Sequence, residues 1–437
     1  MKIAVLGGGL SGLSLAYFLQ DNKKVESIQI FEKEKTIGGL CRSFEINGTR
    51  YDIGPHIIFS KDQKILEVLL NILGDNLQKI RRSNRILYKN KFVKYPFENG
   101  LSALPEKERE YCVNTFLHNP YRGYEAQNML AFFLKTFGEG ITNLYLRPYN
   151  EKIWKFDPAF MDTQMVERIP RPPDEDILKS AGGIETEGYL HQLYFYYPKS
   201  GGIQALVESF RDKLTSKVTI HVEHEVKGLR KLGDKWEIKS GNEREGLFDL
   251  VISTIPVQNL VQITENNKKI KRCVDALKYN SIMIGIVNVT CDKAANNFAF
   301  MIPEKDIIFH RLSKIDFLGS AYRKEETVTY MLEVTYRKND LLDTSSDEQI
   351  IERMIEGLLK IGFIDEKEDV NFTALRRFPF AYVIYDLDHR KNMDQVKAFY
   401  AKEGIHLHGR FGEFEYLNMD GVIRRSMEKS TVIEEAL

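Results

Sequence analysis

The sequence predicts an α/β fold: a Rossmann-type domain with a parallel sheet, an inserted helical domain, and a second, mostly antiparallel β-sheet domain. A strand, a helix and a second strand fit within the first 32 residues, which is the size of a βαβ unit. Strand patterns of the same kind return at 218–254 and near 405, so we expect a discontinuous domain. Between them lie a helical, aromatic-rich stretch and long β-rich segments such as 281–289 and 327–336.

These patterns predict three domains. The Rossmann-type domain combines 1–60, 200–265 and 400–437, the helical insert covers 61–165, and the β-sheet substrate domain combines 166–199 with 266–399. The polar, glycine-containing stretch 174–187 is predicted to be a mobile loop, and the charged stretch 388–395 is predicted to be a solvated loop.

Composition excludes several classes of function. Acidic and basic residues balance at 62 each, which argues against a nucleic-acid-binding protein. The four cysteines are far apart and form no CxxC pair, so no metal site is expected. No apolar run approaches the length of about 18 residues that a membrane helix needs, and the N-terminus lacks a signal-peptide pattern. We therefore expect a cytoplasmic protein without a transmembrane segment.

The N-terminal glycine motif gives the first functional signal. Gly7, Gly9 and Gly12 form GxGxxG directly after the first strand and open the following helix. The first glycine permits the tight turn, the second lets a diphosphate approach the backbone, and the third lets helix and strand pack closely. The diphosphate would lie at the helix N-terminus, where free N–H groups and the macrodipole favour an anion.

An acidic residue completes this motif. Glu32 ends the second strand, about 20 residues after the last glycine, where its carboxylate can accept hydrogen bonds from the adenosine ribose. The same charge disfavours the 2′-phosphate of NADP.

Two following segments favour FAD over NAD. The segment 33–42 (KEKTIGGLCR) contains a second glycine pair that an NAD site would not need. A hairpin with Asn47-Gly48 at its turn then ends in glycine, proline and histidine, where the backbone could pass close to a flat ring. The residues that these motifs predict to bind FAD are Gly7, Gly9, Leu10, Ser11, Gly12, Glu32, Lys33, Gly39, Leu40, Arg42, Gly54, Pro55 and His56.

With these motifs in place, the chain resembles the FAD proteins that include amine oxidases, protoporphyrinogen oxidases and UDP-galactopyranose mutases. Seven later segments, taken in order, resemble the mutase branch. They are NKFVKYPFENGL (90–101), LRPYNEKIW (146–154), VERIPRPP (166–173), YYPKSGG (196–202), IFHR (308–311), YMLEVT (330–335) and GRFGEFEYLNMD (409–420).

The resemblance implies roles for individual residues. Arg168 and Arg311 resemble the two arginines that grip the sugar-nucleotide diphosphate, and Tyr382 and Tyr416 resemble the tyrosines that hydrogen-bond it. His56 resembles a histidine whose backbone adjusts around the flavin. Further implied contacts are Trp154 and Asn418 for the substrate, and Val226, Gly409, Arg410, Asn418 and Met419 for FAD.

The resemblance also implies an activity: FAD-dependent pyranose–furanose mutation of a nucleoside-diphosphate sugar, of the UDP-galactopyranose type, in surface polysaccharide biosynthesis. Reduced flavin N5 would be the nucleophile, and NAD(P)H is one candidate external reductant. The alternative is a FAD oxidoreductase of the amine oxidase or protoporphyrinogen oxidase type. The sugar, the base and the oligomeric state, a homo-oligomer included, stay open.

Overall fold

The predicted α/β fold is confirmed by the computed structural model, which describes residues 1–166, 169, 171–187, 193–240, 243–264 and 267–436. The strands are β1 (Lys2–Leu6), β2 (Ser27–Phe31), β3 (Ser43–Ile46), β4 (Thr49–Asp52), β5 (Gln78–Arg81), β6 (Asn84–Tyr88), β7 (Lys91–Lys94), β8 (Tyr194–Tyr197), β9 (Val218–His221), β10 (Val226–Leu232), β11 (Lys235–Ser240), β12 (Glu243–Phe248), β13 (Leu250–Ser253), β14 (Lys278–Val289), β15 (Ala299–Met301), β16 (Arg311–Lys314), β17 (Val328–Tyr336), β18 (Val370–Ile384) and β19 (Ile405–Leu407). The helices are α1 (Leu10–Leu19), α2 (Gln63–Leu73), α3 (Glu106–Leu117), α4 (Met129–Ile141), α5 (Arg147–Trp154), α6 (Asp174–Ala181), α7 (Gln204–Asp212), α8 (Val257–Ile263), α9 (Lys268–Ala276), α10 (Leu341–Thr344), α11 (Asp347–Lys360), α12 (His389–Glu403), α13 (Gly409–Gly412) and α14 (Met419–Ala436).

A five-stranded parallel sheet carries the glycine motif. Its order is β19-β13-β1-β2-β9, and every neighbouring pair is parallel. Successive residues of β1 enter different hydrophobic clusters: Ile3 and Val5 pack with α1, and Ala4 and Leu6 pack with α8 and α12. Both faces are thus covered, which explains why the strand is an unbroken apolar run.

The second large sheet has seven strands in the order β18-β14-β17-β16-β15-β6-β7. All its pairs are antiparallel except β15 with β6, so the prediction of a mostly antiparallel second sheet is confirmed. The long strands β18, β14 and β17 form one side of this sheet, with β18 at its edge, and their apolar side chains make a core of their own with α11.

The predicted hairpin around Asn47-Gly48 is also confirmed. β3 and β4 pair antiparallel, and both turn residues have positive φ, at 47° and 70°. That conformation suits asparagine followed by glycine in a two-residue turn.

The expectation that 61–165 is helical is wrong for residues 78–94. β6 and β7 form a hairpin that extends the seven-stranded sheet, and β5 pairs with β8. Lys89 and Asn90 make the hairpin turn with positive φ, at 48° and 60°, a turn without the glycine that normally marks it.

Two stretches predicted to be loops contain helices: α6 covers residues 174–181 of the first, and α12 begins at His389 in the second. In α6, three acidic residues occupy the first turn and complement the macrodipole, while Ile177 is buried. In α12, His389, Met393, Val396 and Tyr400 are buried and recur at helical spacing. The many charges at 388–395 cover the opposite side of that helix.

The five parallel strands lie within the three segments predicted for the Rossmann-type domain. The domain boundaries themselves stay a prediction. No helix within the described part of the chain combines the length and apolar character needed to cross a bilayer.

The C-terminal part of the chain returns to the glycine motif at Gly409. A Cβ atom built on Gly409 would lie 2.1 Å from Ser11 Oγ and 2.5 Å from Ser11 Cβ. Its φ of +80° also belongs to the left-handed region. The start of α13 therefore rests directly against the start of α1.

We expect Gly409→Ala to destabilise the protein more than Gly404→Ala. Gly404 has a nearly identical φ of +83°, but a Cβ there meets nothing within 4 Å. Both changes carry the left-handed penalty of roughly 1–2 kcal/mol. Only Gly409→Ala adds a steric clash, worth about 1–3 kcal/mol more. Urea unfolding midpoints measure the difference, and equal midpoints for the two variants would contradict the close approach.

Candidate active site

The first turn of the parallel sheet is shaped by backbone proximity. A Cβ on Gly12 would lie 2.2 Å from the carbonyl oxygen of Gly7, and one on Gly7, at φ +101°, would lie 2.6 Å from Thr254 Oγ1. Gly9 has no such contact and occupies the N-cap position of α1. The backbone of the turn is therefore tightly packed at Gly7 and Gly12, and it is accessible at Gly9, where a diphosphate would approach.

The second glycine loop lies against the first. Gly38 N–H donates to Gly8 O over 2.9 Å. The side chain of Arg42 folds back onto this loop, with its Nε donating to Gly39 O over 3.0 Å. Its Nη1 lies 3.4 Å from Glu34 Oε2. This arrangement places a guanidinium beside two adjacent glycine turns, in keeping with a polyphosphate ligand.

Glu32 connects the two loops. Its carboxylate accepts from Gly8 N over 2.8 Å and from Glu34 N over 2.9 Å, and the residue is 7% exposed. A carboxylate has about four lone-pair positions, so acceptor capacity remains for ribose hydroxyls.

One cavity of about 770 Å³ unites these loops with the seven-stranded sheet. The predicted FAD residues that line it are Gly7, Gly9, Leu10, Ser11, Glu32, Lys33, Gly39, Leu40, Arg42, Gly54, Pro55, His56, Val226, Arg410, Asn418 and Met419. Gly12 and Gly409 do not line it, because both pack behind the wall, against backbone and Ser11.

The substrate end of the cavity contains a buried ion pair. Arg311 on β16 faces Glu333 on β17, its register partner. Arg311 Nη2 donates to Glu333 Oε2 over 2.6 Å, Nε donates to Oε1, and Glu333 is fully buried. The hydroxyl of Tyr382 donates to the same Oε2 over 3.4 Å. All three residues line the cavity.

An aromatic cluster stands beside this pair. Tyr382 and Tyr416 stack with ring centroids 5.9 Å apart, and Trp154 meets each of them edge-on at 5.8 Å. The guanidinium of Arg410 lies 4.3 Å from the Tyr416 ring centroid and donates to Leu417 O over 3.1 Å. Trp154 is 5% exposed, donates to Asn150 Oδ1 and does not line the cavity. It supports the tyrosines from behind.

His56 is a neutral residue in this site. Burial, with the charges of Arg410 and Arg311, lowers the pKa of His56 to about 4. Its backbone N–H donates to Gly54 O over 2.9 Å. Its buried Nδ1 has no hydrogen-bond partner among the described residues, and the same is true of Arg410 Nε. Buried polar atoms are normally paired, so these two atoms fit a cavity that holds a polar ligand.

The two predicted residues that remain are Asn418 and Arg168. Asn418 is exposed at the cavity rim and its carbonyl accepts the first bond of α14, from Val422 N–H. Arg168 lies outside the described residues, so its predicted role stays a prediction.

Sequence reasoning missed several residues of the cavity wall, among them the charged residues Glu333 and Arg82. Glu333 is a single charge in the otherwise apolar strand segment YMLEVT, and such a charge usually has a buried partner. Arg82 also lines the cavity, but it precedes a strand that was expected to be helical, so no pattern identified it.

The residues present fit FAD. Two abutting glycine loops, a half-satisfied carboxylate at the end of β2 and unpaired polar atoms beside Gly54 lie along one cavity. Among the described residues, no three His, Cys, Asp or Glu side chains come together as a metal site would require.

Comparisons with known proteins agree with this geometry. A model of the flavin containing amine oxidoreductase family matches residues 10–391. The crystal structure of reduced UDP-galactopyranose mutase superposes with a TM-score of 0.89 at 24% identity, covering 100% of this chain and 94% of that one. Coproporphyrinogen III oxidase of Staphylococcus aureus is 20% identical over 436 residues, 91% of each chain. Protoporphyrinogen oxidase of Dictyostelium discoideum is 22% identical over 389 residues, 70% of each chain. At these identities the structural likeness shows the fold.

We expect Glu333→Gln to be strongly destabilising, because it leaves the Arg311 guanidinium without its buried counter-charge. Breaking a buried pair in this way costs about 3–5 kcal/mol. The matched control is Glu45→Gln, which breaks the exposed pair with Arg50 and should cost less than about 1 kcal/mol. Urea unfolding of both variants measures the difference. If Glu333→Gln were as stable as Glu45→Gln, the pair would not be a structural element of the site.

Proposed function

Because this chain belongs to the flavin-containing amine oxidoreductase family, we propose that it is a FAD-dependent mutase that interconverts the pyranose and furanose forms of a nucleoside-diphosphate sugar. The reaction would be of the UDP-galactopyranose to UDP-galactofuranose type, and a role in surface polysaccharide biosynthesis is part of the proposal. The observation that carries it is the polar substrate end of the cavity, where Arg311 and the hydroxyl of Tyr382 meet at Glu333 beside Gly54, and Tyr416 stacks on Tyr382. Such donors suit a diphosphate.

When bound, reduced FAD would supply a nucleophilic ring nitrogen and would leave the net redox state of the substrate unchanged. The chain's own task is then to hold the sugar nucleotide and to stabilise the charge of the departing diphosphate. This division of labour suits a site in which His56 is neutral, since the site offers donors and charge stabilisation rather than proton transfer.

Arg311 can serve a diphosphate without leaving Glu333. A guanidinium has five N–H donors, and Glu333 takes one from Nε and one from Nη2. The face formed by Nη1 and Nη2 keeps its donors for a bidentate contact with phosphate oxygens. Glu333 would then fix the orientation of Arg311, as a positioning residue.

A second candidate is an oxidase. Two relatives that cover 91% and 70% of this chain are named as porphyrinogen oxidases, and the stacked pair of Tyr382 and Tyr416 provides an aromatic wall beside the polar groups. An oxidase would pass substrate electrons to oxygen, and its reaction would not require arginines that bind a diphosphate.

Two measurements test the proposal, and the second separates the two candidates. Purified protein should release FAD, not FMN, on heating, because the glycine loops fit a diphosphate and Glu32 fits a ribose. Anaerobic protein reduced with dithionite should convert UDP-galactopyranose to its furanose isomer, resolved by chromatography, without consuming reductant in proportion to product. Turnover only by oxidised protein, with hydrogen peroxide formed, would replace the mutase with the oxidase.

The second prediction concerns Arg168 and Arg311, the two arginines that we propose bind the diphosphate. Arg168→Ala should lower kcat/KM for the nucleotide sugar by roughly 30- to 1000-fold, or about 2–4 kcal/mol, through loss of a charge-assisted contact. Arg311→Ala should do the same, and Arg311→Lys should recover only part, since an ammonium keeps the charge for Glu333 but cannot make the fork.

FAD content should stay near that of the wild type in Arg168→Ala and Arg311→Lys. Arg311→Ala also breaks the buried pair with Glu333, so its activity is compared per bound flavin. The control is Arg211→Ala, which removes an exposed arginine that pairs with Asp212 away from the cavity. Loss of FAD in the arginine variants, with activity per flavin unchanged, would assign these residues to the cofactor instead.

A further inference from the structure

Helix α5 ends directly behind the aromatic cluster of the candidate active site. Its last residue is Trp154, whose indole meets the rings of Tyr382 and Tyr416 edge-on. The next residue, Lys155, has a left-handed φ of 49°, a conformation that favours glycine and is unfavourable for lysine. The last carbonyl groups of a helix also lack partners within the helix. The end of α5 therefore depends on contacts from elsewhere in the fold.

Asn280 of β14 makes those contacts. Its Nδ2 donates to Trp154 O over 2.7 Å and to Ile153 O over 3.0 Å, and its Oδ1 accepts from Arg337 Nε over 3.0 Å. Arg337 Nη2 also donates to Trp154 O, over the longer distance of 3.4 Å. Asn280 is fully buried, so loss of its amide would remove hydrogen bonds that water cannot readily replace.

The strand register joins Asn280 to the substrate end of the main cavity. Asn280 is the direct partner of Tyr382 on the antiparallel strand β18. The side chains of such a pair lie on the same face of the sheet. On that face Asn280 holds the backbone of Trp154, and the indole of Trp154 packs against Tyr382. Tyr382 in turn donates to Glu333, the buried partner of Arg311. A continuous series of contacts thus leads from Asn280 to the proposed diphosphate site.

We propose that Asn280 is a positioning residue of the substrate site: it fixes the backbone of Trp154 and thereby the positions of the two stacked tyrosine rings. The proposal rests on the proposed function, because that function assigns the tyrosines to the diphosphate-binding end of the cavity. Asn280 does not line the cavity. It acts on a bound ligand through the packing of three aromatic rings, without touching the ligand.

The first test measures the environment of Trp154. The chain has two tryptophans, and the other, Trp236, lies on β11 in the hydrophobic cluster beside the parallel sheet. Trp236→Phe therefore leaves Trp154 as the only tryptophan. In this background, with FAD bound, we expect Asn280→Ala to move the tryptophan emission to longer wavelength and to raise its quenching by acrylamide. The residue is 5% exposed in the wild type, so both changes would report release of the helix end.

The second test measures binding of UDP-galactose to the oxidised FAD holoprotein by calorimetry. We expect Asn280→Ala to weaken binding by roughly 5- to 30-fold. In turnover KM should rise while kcat stays within about threefold, because the tyrosines would hold ground state and transition state alike. Asn280→Asp keeps an acceptor for Arg337, but an ionised carboxylate has no donor for the two carbonyl oxygens. It should therefore fail to restore binding.

The matched control is Asn288→Ala, near the other end of β14. Asn288 is 1% exposed, its Nδ2 donates to Thr329 Oγ1 over 2.9 Å, and its Oδ1 accepts from Asn371 Nδ2 over 3.0 Å. Asn288→Ala thus removes an equally buried and equally bonded amide from the same strand. Both variants should lower the urea unfolding midpoint. Only Asn280→Ala should change the emission of Trp154 and the affinity for UDP-galactose.

Three results would overturn the proposal. The emission and quenching of Trp154 could stay unchanged in Asn280→Ala, Asn288→Ala could have the same effects as Asn280→Ala, or Asn280→Asp could restore binding, which would assign the role to Arg337. If Asn280→Ala did not fold, as judged by FAD content, Asn280→Ser would carry the same tests, because its hydroxyl keeps one donor. If wild type did not bind UDP-galactose, the nucleotide-sugar function would fail, and the emission of Trp154 would still decide whether Asn280 fixes that ring.

Discussion

The architecture depends on close backbone contact around the start of α1. Gly12 lies against the carbonyl of Gly7, and Gly409 lies against Ser11, at distances that leave no room for a Cβ atom. Three distant parts of the chain, β1, β13 and β19, can therefore align as neighbouring parallel strands whose carboxyl ends meet at one edge. In open α/β sheets ligands bind at that edge, and here the cavity begins there.

The charges at the substrate end of the cavity depend on a different constraint. The seven-stranded sheet buries Glu333 in its centre, and a buried carboxylate requires a partner. Arg311 supplies the counter-charge from the adjacent strand, which holds its guanidinium rigidly beside the cavity. Burial and the charges of Arg311 and Arg410 also keep His56 neutral. One strand pairing thus fixes a buried pair of opposite charges at the substrate end of the cavity.

Local sequence motifs predicted the structure correctly at positions where the backbone conformation restricts which residue types fit. The glycine motif and the Asn47-Gly48 turn were recognisable because few residue types adopt those conformations. Residues 389–403 were missed because their charges hid a stripe of buried residues. The β6–β7 hairpin was missed because its turn, Lys89-Asn90, has no glycine. Trp154 and Arg82 show a further limit of sequence reasoning. Whether a residue lines the cavity or packs behind its wall depends on residues that are distant in the sequence.

The late return of the chain at Gly409 has a consequence for synthesis. β1 is made about 250 residues before its neighbour β13 and more than 400 residues before the segment that seals α1. A ribosome that adds on the order of 5–20 residues per second needs tens of seconds to cover that distance. During that interval the glycine motif emerges without the strands that shape it, exposed to chaperones. The complete turn around the glycine motif therefore exists only after Gly409 has been made.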